Sequence, residues 1–557
     1  MADLTPLRIL IEISLAVLAL FVGLALPSAG VSFFERVEKW GWALARKKTT
    51  SIVCIGLAAP LIRLAALPWA PIPLPAIHDE FSFLLAGDTF ASGRLANPTH
   101  PMWVHFETFH VDQKPTYMSM YPPAQGMFLA LGKVLFGHPW FGVCVSVGLM
   151  CAAITWMLYG WLPPGWAFLG GVIAVSRLGI TSYFMNSYWG GAPAALGGAL
   201  VLGALPRLRR RPRAGMAAIL AIGLAILANS RPFEGLLVGI PVLVSLLVWF
   251  CGRHAMPLRA LLARVAVPIS ALLVITALSM GYYNWRVFGN PLTMPYQVNR
   301  AAYAVSPVFI WESPYREPVY RHKVLHDFFV HSELAAFEKA RTPAGFLDEN
   351  AKKLLFLLFF YGTPTAAIAA IMFPGVLRDR HIRILLWIGV FFLTGSLVNA
   401  FFHGHYFAPV ASLFYAVLLQ SMRHLRLWKP GRQPVGLFMV RAIPAVCFLI
   451  CGLQLFCMPL TTTTGLARAE MQRRLEQIPG RHLVIVRYAA ERDPDPMHSF
   501  EWVFNAADID AARVVWARDM GPRDNAELIE YFKDRSVWLL EPDKSSVQIQ
   551  LYSKDPY

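Results

Sequence analysis

Apolar residues dominate this chain in runs of about twenty, and short charged loops separate most of them. The first run is Leu7 to Leu26. Others fall near 50–70, 140–160, 164–184, 189–206, 214–230, 233–251, 263–283, 353–373, 382–400, 405–421 and 434–458. A helix of ~20 residues crosses the bilayer's hydrocarbon core, so the pattern predicts a mainly α polytopic membrane protein with about twelve transmembrane helices. Three long polar stretches interrupt it: 71–139, 284–352 and 460–557. Stretches this long without a span of their own usually carry function. Around Phe81 to Phe90 the first turns amphipathic, as expected of a helix lying in the membrane interface. The second is rich in aromatics and bases, among them Trp285, Arg286, Tyr296, Trp311 and Arg316. The third differs in kind. Residues 482–488, 513–516 and 536–540 read as short strands, and Asn525 to Lys533 as a helix. The expected division is therefore a transmembrane domain over 1–459 and a small soluble α/β domain over 460–557.

Charge gives the pattern a direction. Between the first two runs lie Arg36, Lys39, Arg46, Lys47 and Lys48 against Glu35 and Glu38, which marks the cytoplasmic side. Arg207–Arg211, Arg253–Arg264, Arg378–Arg383 and Arg423–Arg432 fall on that same side when the runs alternate. The three long stretches are then external, or periplasmic in a bacterial inner (plasma) membrane. The first run is expected to be a retained helix, because its leading segment lacks the positive start of a signal peptide. Composition agrees with a membrane protein: 56% of residues are hydrophobic, 15% are charged, and the mean hydropathy is +0.48. The net charge of +16 does not imply nucleic acid. From Leu466 to Tyr557 acids outnumber bases by 16 to 13, so the excess belongs to the membrane part, where bases mark loops and meet anionic lipid. All seven cysteines lie in or beside apolar runs and suggest neither a disulfide framework nor a zinc site.

Candidate chemistry begins at Ile77-His78-Asp79-Glu80-Phe81, where carboxylates follow directly on an apolar segment. Ionisable groups at that depth need a task or a partner. Asp79 can act as a base or cap a helix that starts at Glu80, and the pattern leaves both readings open. His100, His105, Glu107, His110, Asp112 and Lys114 follow on the same stretch. Their density suits a metal site or a solvated, substrate-contacting loop, but the spacing is neither HxxxH nor HExxH. Tyr121-Pro122-Pro123 then stiffens the chain. Arg231 sits between two apolar runs with almost no loop, where Glu234 or a lipid phosphate can pair with it. His403, His405 and Tyr406 recur at the next such junction, either as donors to an anion or as members of an interfacial belt.

The acidic pair, the following Pro-Pro, the many spans, the late His405-Tyr406-x-x-Pro409 turn and the soluble tail together resemble the GT-C superfamily of membrane glycosyltransferases. The likeness is greatest to the family of protein O-mannosyltransferases and bacterial lipid A aminoarabinose transferases. It runs from about Ile77 to Gln420. Its most specific part extends from His78-Asp79-Glu80 through Ala86-Gly87-Asp88 and Ser92-Gly93 to Tyr121-Pro122-Pro123. The resemblance implies an inverting hexosyl- or pentosyltransferase. Such an enzyme moves a sugar from a polyprenyl-phosphate-linked donor to the hydroxyl of a glycan, lipid or protein acceptor on the external face. Asp79 matches the family's catalytic aspartate and Glu80 its partner. Donor phosphate and substrate would be met by His78, Lys114, Tyr121, Arg231, His405 and Tyr406. The aminoarabinose transferases place a lysine just before the two prolines, where this chain has Tyr121, so either Lys114 folds back or Arg231 and His405 supply the positive field, with Arg231 favoured. No cofactor is firmly implied, and a divalent metal is left open. The competing class is a transporter or flippase of a lipid-linked glycan, which usually shows paired internal repeats; the Asp79 stretch has no second copy.

Overall fold

The computed structural model describes residues 6–252, 257–461, 465–489, 501–544 and 547–553. Among these, seven helices are long and apolar enough to cross a membrane: Leu7–Ala25, Lys48–Ala65, Trp140–Trp161, Gly191–Arg210, Pro232–Phe250, Leu258–Phe288 and Val435–Met458. Pro343–Tyr361 and Pro364–Ala370 meet at 107° and make an eighth if counted as one broken span. The bend falls where Pro364 starts a new helix, which Thr363 caps by accepting the Ala366 N–H at 3.1 Å. Other predicted spans form shorter helices, at Ala214–Ala228, Arg383–Leu397 and Ala411–Leu425. The protein is thus an integral membrane protein built mainly of helices.

Three segments differ from expectation. The charged segment after the first span is itself a helix, Val31–Arg46, and Arg441 grips its Glu38 with two bonds of 2.8 and 2.9 Å. The Arg253–Arg264 loop lies partly outside the described residues, and the helix after it already begins at Leu258. The run 164–184 is not one span. Its helix ends at Ala174, passes through a π turn at Val175–Gly179, and gives way to an irregular segment up to the helix at Gly191. That irregular backbone is enclosed by protein, the condition under which it is tolerated at membrane depth. Its turns close through Asn186, which donates to the carbonyls of Ile180 (2.9 Å) and Ser182 (3.0 Å).

Close helix packing positions the later motif. A Cβ at Gly198 would lie 1.8 Å from the Pro409 carbonyl oxygen, so glycine alone lets the Gly191–Arg210 helix meet the 3₁₀ turn Gly404–Val410. Gly198→Ala is expected to force this turn outward and destabilise the protein by ~1–3 kcal/mol or more. A thermal melt of the detergent-purified variant measures the loss.

The first long polar stretch contains the helix His78–Ala91 and a small antiparallel sheet ordered β1-β3-β2, with β1 Asn97–Pro98, β2 Val111–Asp112 and β3 Thr116–Ser119. The C-terminal residues form a second sheet, ordered β5-β4-β6-β7, with β4 His482–Val486, β5 Val514–Arg518, β6 Ser536–Glu541 and β7 Gln548–Leu551. β4 pairs in parallel with β5 and β6, while β7 is antiparallel to β6. The helix Pro522–Tyr531 connects β5 to β6, as a parallel crossover requires. This sheet does not stand apart from the first stretch. Phe81 stacks on Phe504 with centroids 4.3 Å apart, Asp88 accepts the Ala507 N–H at 2.8 Å, and His100 Nε2 lies 3.1 Å from Asp510. Arg518 donates to the Glu107 carbonyl at 2.6 Å while pairing with Glu501 at 2.8 Å. Leu85, Phe106, Val111 and Tyr117 share one apolar core with Leu483, Val515 and Leu528.

Candidate active site

The approach to the site is pinned before the helix begins. Arg63, buried in the Lys48–Ala65 helix, donates to the carbonyls of Ala70 (2.7 Å) and Pro71 (2.8 Å) and to Asn186 Oδ1 (2.8 Å). Glu80 then fixes the first turn of His78–Ala91. Its Oε2 accepts the N–H groups of Ala76 (2.8 Å) and Ile77 (3.1 Å), and its Oε1 accepts the N–H of Tyr188 (3.0 Å). Glu80 is therefore the capping carboxylate, and it ties the helix start to the irregular segment before Gly191. Burial raises it to about 7 against these three backbone donors. Glu80→Gln would set an NH₂ group against one of these N–H sets, costing ~1–3 kcal/mol. The expected result is a lower melting temperature with a smaller loss of turnover than any change at Asp79, measured on the same preparation.

Asp79 precedes Glu80 by one residue, so it points about 100° away around the helix and is released from capping. Its Oδ1 accepts the hydroxyl of Tyr121, and its Oδ2 lies 3.3 Å from His78 Nδ1. His110 closes the other side, its ring 4.9 Å from His78 and 5.9 Å from Tyr121. His110 has a left-handed φ of 59°, uncommon outside glycine. Its carbonyl holds that conformation by accepting the Met120 N–H (3.1 Å) and the Ser82 hydroxyl (2.6 Å). Burial lowers His110 to about 3 and His403 to about 4, so both rings are neutral near pH 7. Burial alone would raise Asp79, but His110, His78 and His403, charged only in the acid range where it titrates, and the Tyr121 hydroxyl hold it at about 2. The site therefore offers one ionised, half-buried carboxylate among neutral donors.

A cation lies close enough to Tyr121 to act on it electrostatically. Arg231 opens the Pro232–Phe250 helix with its guanidinium 4.1 Å from the Tyr406 ring centroid. Among the described residues no carboxylate lies within the 4.0 Å that defines an ion pair with it. Glu234 is near enough to act on Arg231 electrostatically without reaching it. His405 stacks on His403 at 5.5 Å, its Nδ1 lies 3.3 Å from the Tyr183 hydroxyl, and Trp189 packs against both rings.

Of the residues singled out by sequence, the structure thus gathers His78, Asp79, Glu80, Tyr121, Arg231, His405 and Tyr406. Lys114 is not among them: its Nζ stands 4.2 Å above the Trp103 ring. The expected polar cluster after His100 is dispersed. His105 faces the Arg518 carbonyl at 3.1 Å, Glu107 accepts the Tyr303 hydroxyl at 2.9 Å, and Asp112 accepts from Asn299 at 3.0 Å. Only His110 of that group reaches Asp79. Tyr183 and Trp189 fell at the edges of the expected spans 164–184 and 189–206 and Tyr188 in the short gap between them, and the polar Thr181-Ser182 and Asn186-Ser187 pairs were the available signal that the helix breaks here.

His78, Asp79 and His110 offer one donor atom each within 4.8 Å of one another. His78 Nε2 and His110 Nδ1 are buried without a hydrogen-bond partner. Two imidazoles and a carboxylate suit a borderline divalent ion, and the group fits one.

No protein-family model matches the chain, and no curated protein matches it by sequence. Solved structures do. ArnT from Cupriavidus metallidurans bound to undecaprenyl phosphate aligns over 88% of this chain and 92% of its own, with a TM-score of 0.50 and 12% identity. The Archaeoglobus fulgidus oligosaccharyltransferase in complex with Zn and sulfate aligns over 88% of this chain and 67% of its own, with a TM-score of 0.49 and 10% identity. At such identity the likeness is one of fold.

Proposed function

We propose that this protein is a GT-C glycosyltransferase that moves a sugar from a polyprenyl-phosphate donor to an acceptor hydroxyl, with inversion. The observation that carries the reading is an ionised carboxylate, Asp79, bonded to the Tyr121 hydroxyl, with an arginine lacking a carboxylate partner, Arg231, close enough to act on that same tyrosine. The acceptor O–H gives its proton to Asp79 as its oxygen attacks the anomeric carbon, and the bond from that carbon to the phosphate oxygen breaks. The negative charge gathering on the phosphate meets the Arg231 guanidinium, supported by the Tyr406, His403 and His405 side chains. A divalent ion held by His78, Asp79 and His110 would add positive charge at the same centre. The shared fold with a structure that holds undecaprenyl phosphate supports the choice of donor class. Alternation of basic loops supports about twelve membrane-crossing segments and an external face, periplasmic in a bacterial inner membrane, for the site and the 460–557 domain. Lys114, over Trp103, belongs to the outer loop rather than to the phosphate site.

The test is a lipid-extracted assay with reconstituted protein and a radiolabelled pool of polyprenyl-phosphate sugars. Label that becomes covalently attached to a membrane, glycan or protein acceptor supports the reading. Label that crosses the bilayer with no new bond makes the protein a transporter instead.

A further inference from the structure

The second long stretch carries a set of donors that the site above leaves unused. His326, Asp327 and His331 bring ligand atoms within 4.8 Å of one another. His326 Nδ1 lies 3.5 Å and His331 Nε2 3.8 Å from the same oxygen, Asp327 Oδ1. Ligands ~2.1 Å from a tetrahedral zinc ion are themselves ~3.4 Å apart, so these spacings need little closure. In an α-helix residues five apart diverge by ~140°. Here Asp327–Leu334 is a π-helix, whose i→i+5 bonding brings residue 331 back over 326, and such turns recur at functional sites.

The surroundings are arranged as a second layer. Glu317 lies 3.3 Å from His326 Nε2, the nitrogen that faces away from Asp327, and a carboxylate there orients a metal-binding imidazole and raises its basicity. Lys323 takes the other Asp327 oxygen at 2.5 Å, which leaves Oδ1 to the two rings. Both histidines reach solvent, so an ion has a route in. Two imidazoles with one carboxylate select a borderline transition ion over Mg²⁺ or Ca²⁺. The next residue, Phe328, reaches the candidate active site, its ring 5.4 Å from His78, 5.7 Å from His110 and 4.6 Å from Phe109.

We propose that His326, Asp327 and His331 bind one divalent ion of the zinc type, which ties the 317–331 segment together and seats Phe328 against the candidate active site. This site is separate from the His78, Asp79 and His110 group, and it does not depend on the glycosyltransferase reading. The test uses full-length protein in detergent, in a His110→Ala background that removes the other donor group, stripped with EDTA and reloaded with Zn²⁺. Bound zinc per chain is counted by mass spectrometry, and protection of 317–331 is followed by hydrogen exchange. One zinc per chain is expected. His331→Gln, at a half-exposed position that should not disturb folding, is expected to abolish it together with the zinc-dependent protection, and His326→Asn is expected to do the same. Equal zinc content with and without these substitutions, or protection that ignores zinc, overturns the proposal.

Discussion

Asp79→Asn is expected to reduce sugar transfer by ~10²–10⁴-fold while leaving the protein folded. Asparagine keeps the carbonyl oxygen that accepts the Tyr121 hydroxyl and changes no packing volume, so what is lost is the basicity. Steady-state rates on reconstituted protein, compared with undecaprenyl phosphate binding, distinguish the two roles the carboxylate could have. A base that acts in the transition state lowers turnover and leaves lipid affinity near its original value. An equal loss of affinity would make Asp79 a binding group, and an unchanged rate would remove it from the chemistry. Acidity offers a second check. Asp79 ionises at about 2, and burial keeps His110 and His403 neutral above about 3 and 4. None of the three changes charge between pH 5 and 8, so any rate change in that window must come from another group. Glu80, at about 7, and His78, in contact with Asp79 and lowered by burial, are near enough to supply it.

The second large effect is expected at Arg231. Removing its guanidinium takes away the cation of the cluster and a stack on Tyr406, and charge-assisted bonds of this kind contribute ~1.5–3 kcal/mol each. Arg231→Ala should weaken undecaprenyl phosphate binding by about 10–100-fold. Arg231→Lys should recover only part of it, because a point charge replaces a planar fork that can hold two phosphate oxygens. Thermophoresis with undecaprenyl phosphate, and the same titration with neutral undecaprenol, measure the phosphate-specific share. Equal affinities for the two lipids in the unsubstituted protein would rule out a phosphate role for this arginine.

Hydrophobic periodicity made the mainly helical membrane architecture readable, because run length answers directly to bilayer thickness. It misjudged the segment 164–190, where apolar composition persists through a backbone that has left the helix. Periodicity reports burial, and Phe184, Tyr188 and Trp189 are buried whether the chain is coiled or not. The strands of the tail were legible where they are central and β-branched, as at His482–Val486. The edge strand Gln548–Leu551 was not, since its alternating Gln residues carry no apolar run. In the site, adjacency identified Asp79 and Glu80 but could not say which of them caps. That was decided by the helix starting at His78, two residues before the start assumed by the capping reading. Lys114 was nominated for closeness in sequence to the Pro-Pro pair, and a neighbouring tryptophan ring holds it instead.

The docking of the last sheet on the first long stretch bears on the order in which the protein can be made. The contacts of Phe81, Asp88, His100 and Glu107 are with residues 504–518, and the His100–Asp510 pair alone spans 410 positions of sequence. A ribosome must therefore insert most of the helices before the loop that carries Asp79 meets its support, and contacts so distant form late. Until residues 501–541 emerge, that loop's apolar face waits uncovered. A half-made chain is thus a membrane bundle whose first long stretch still lacks its cover.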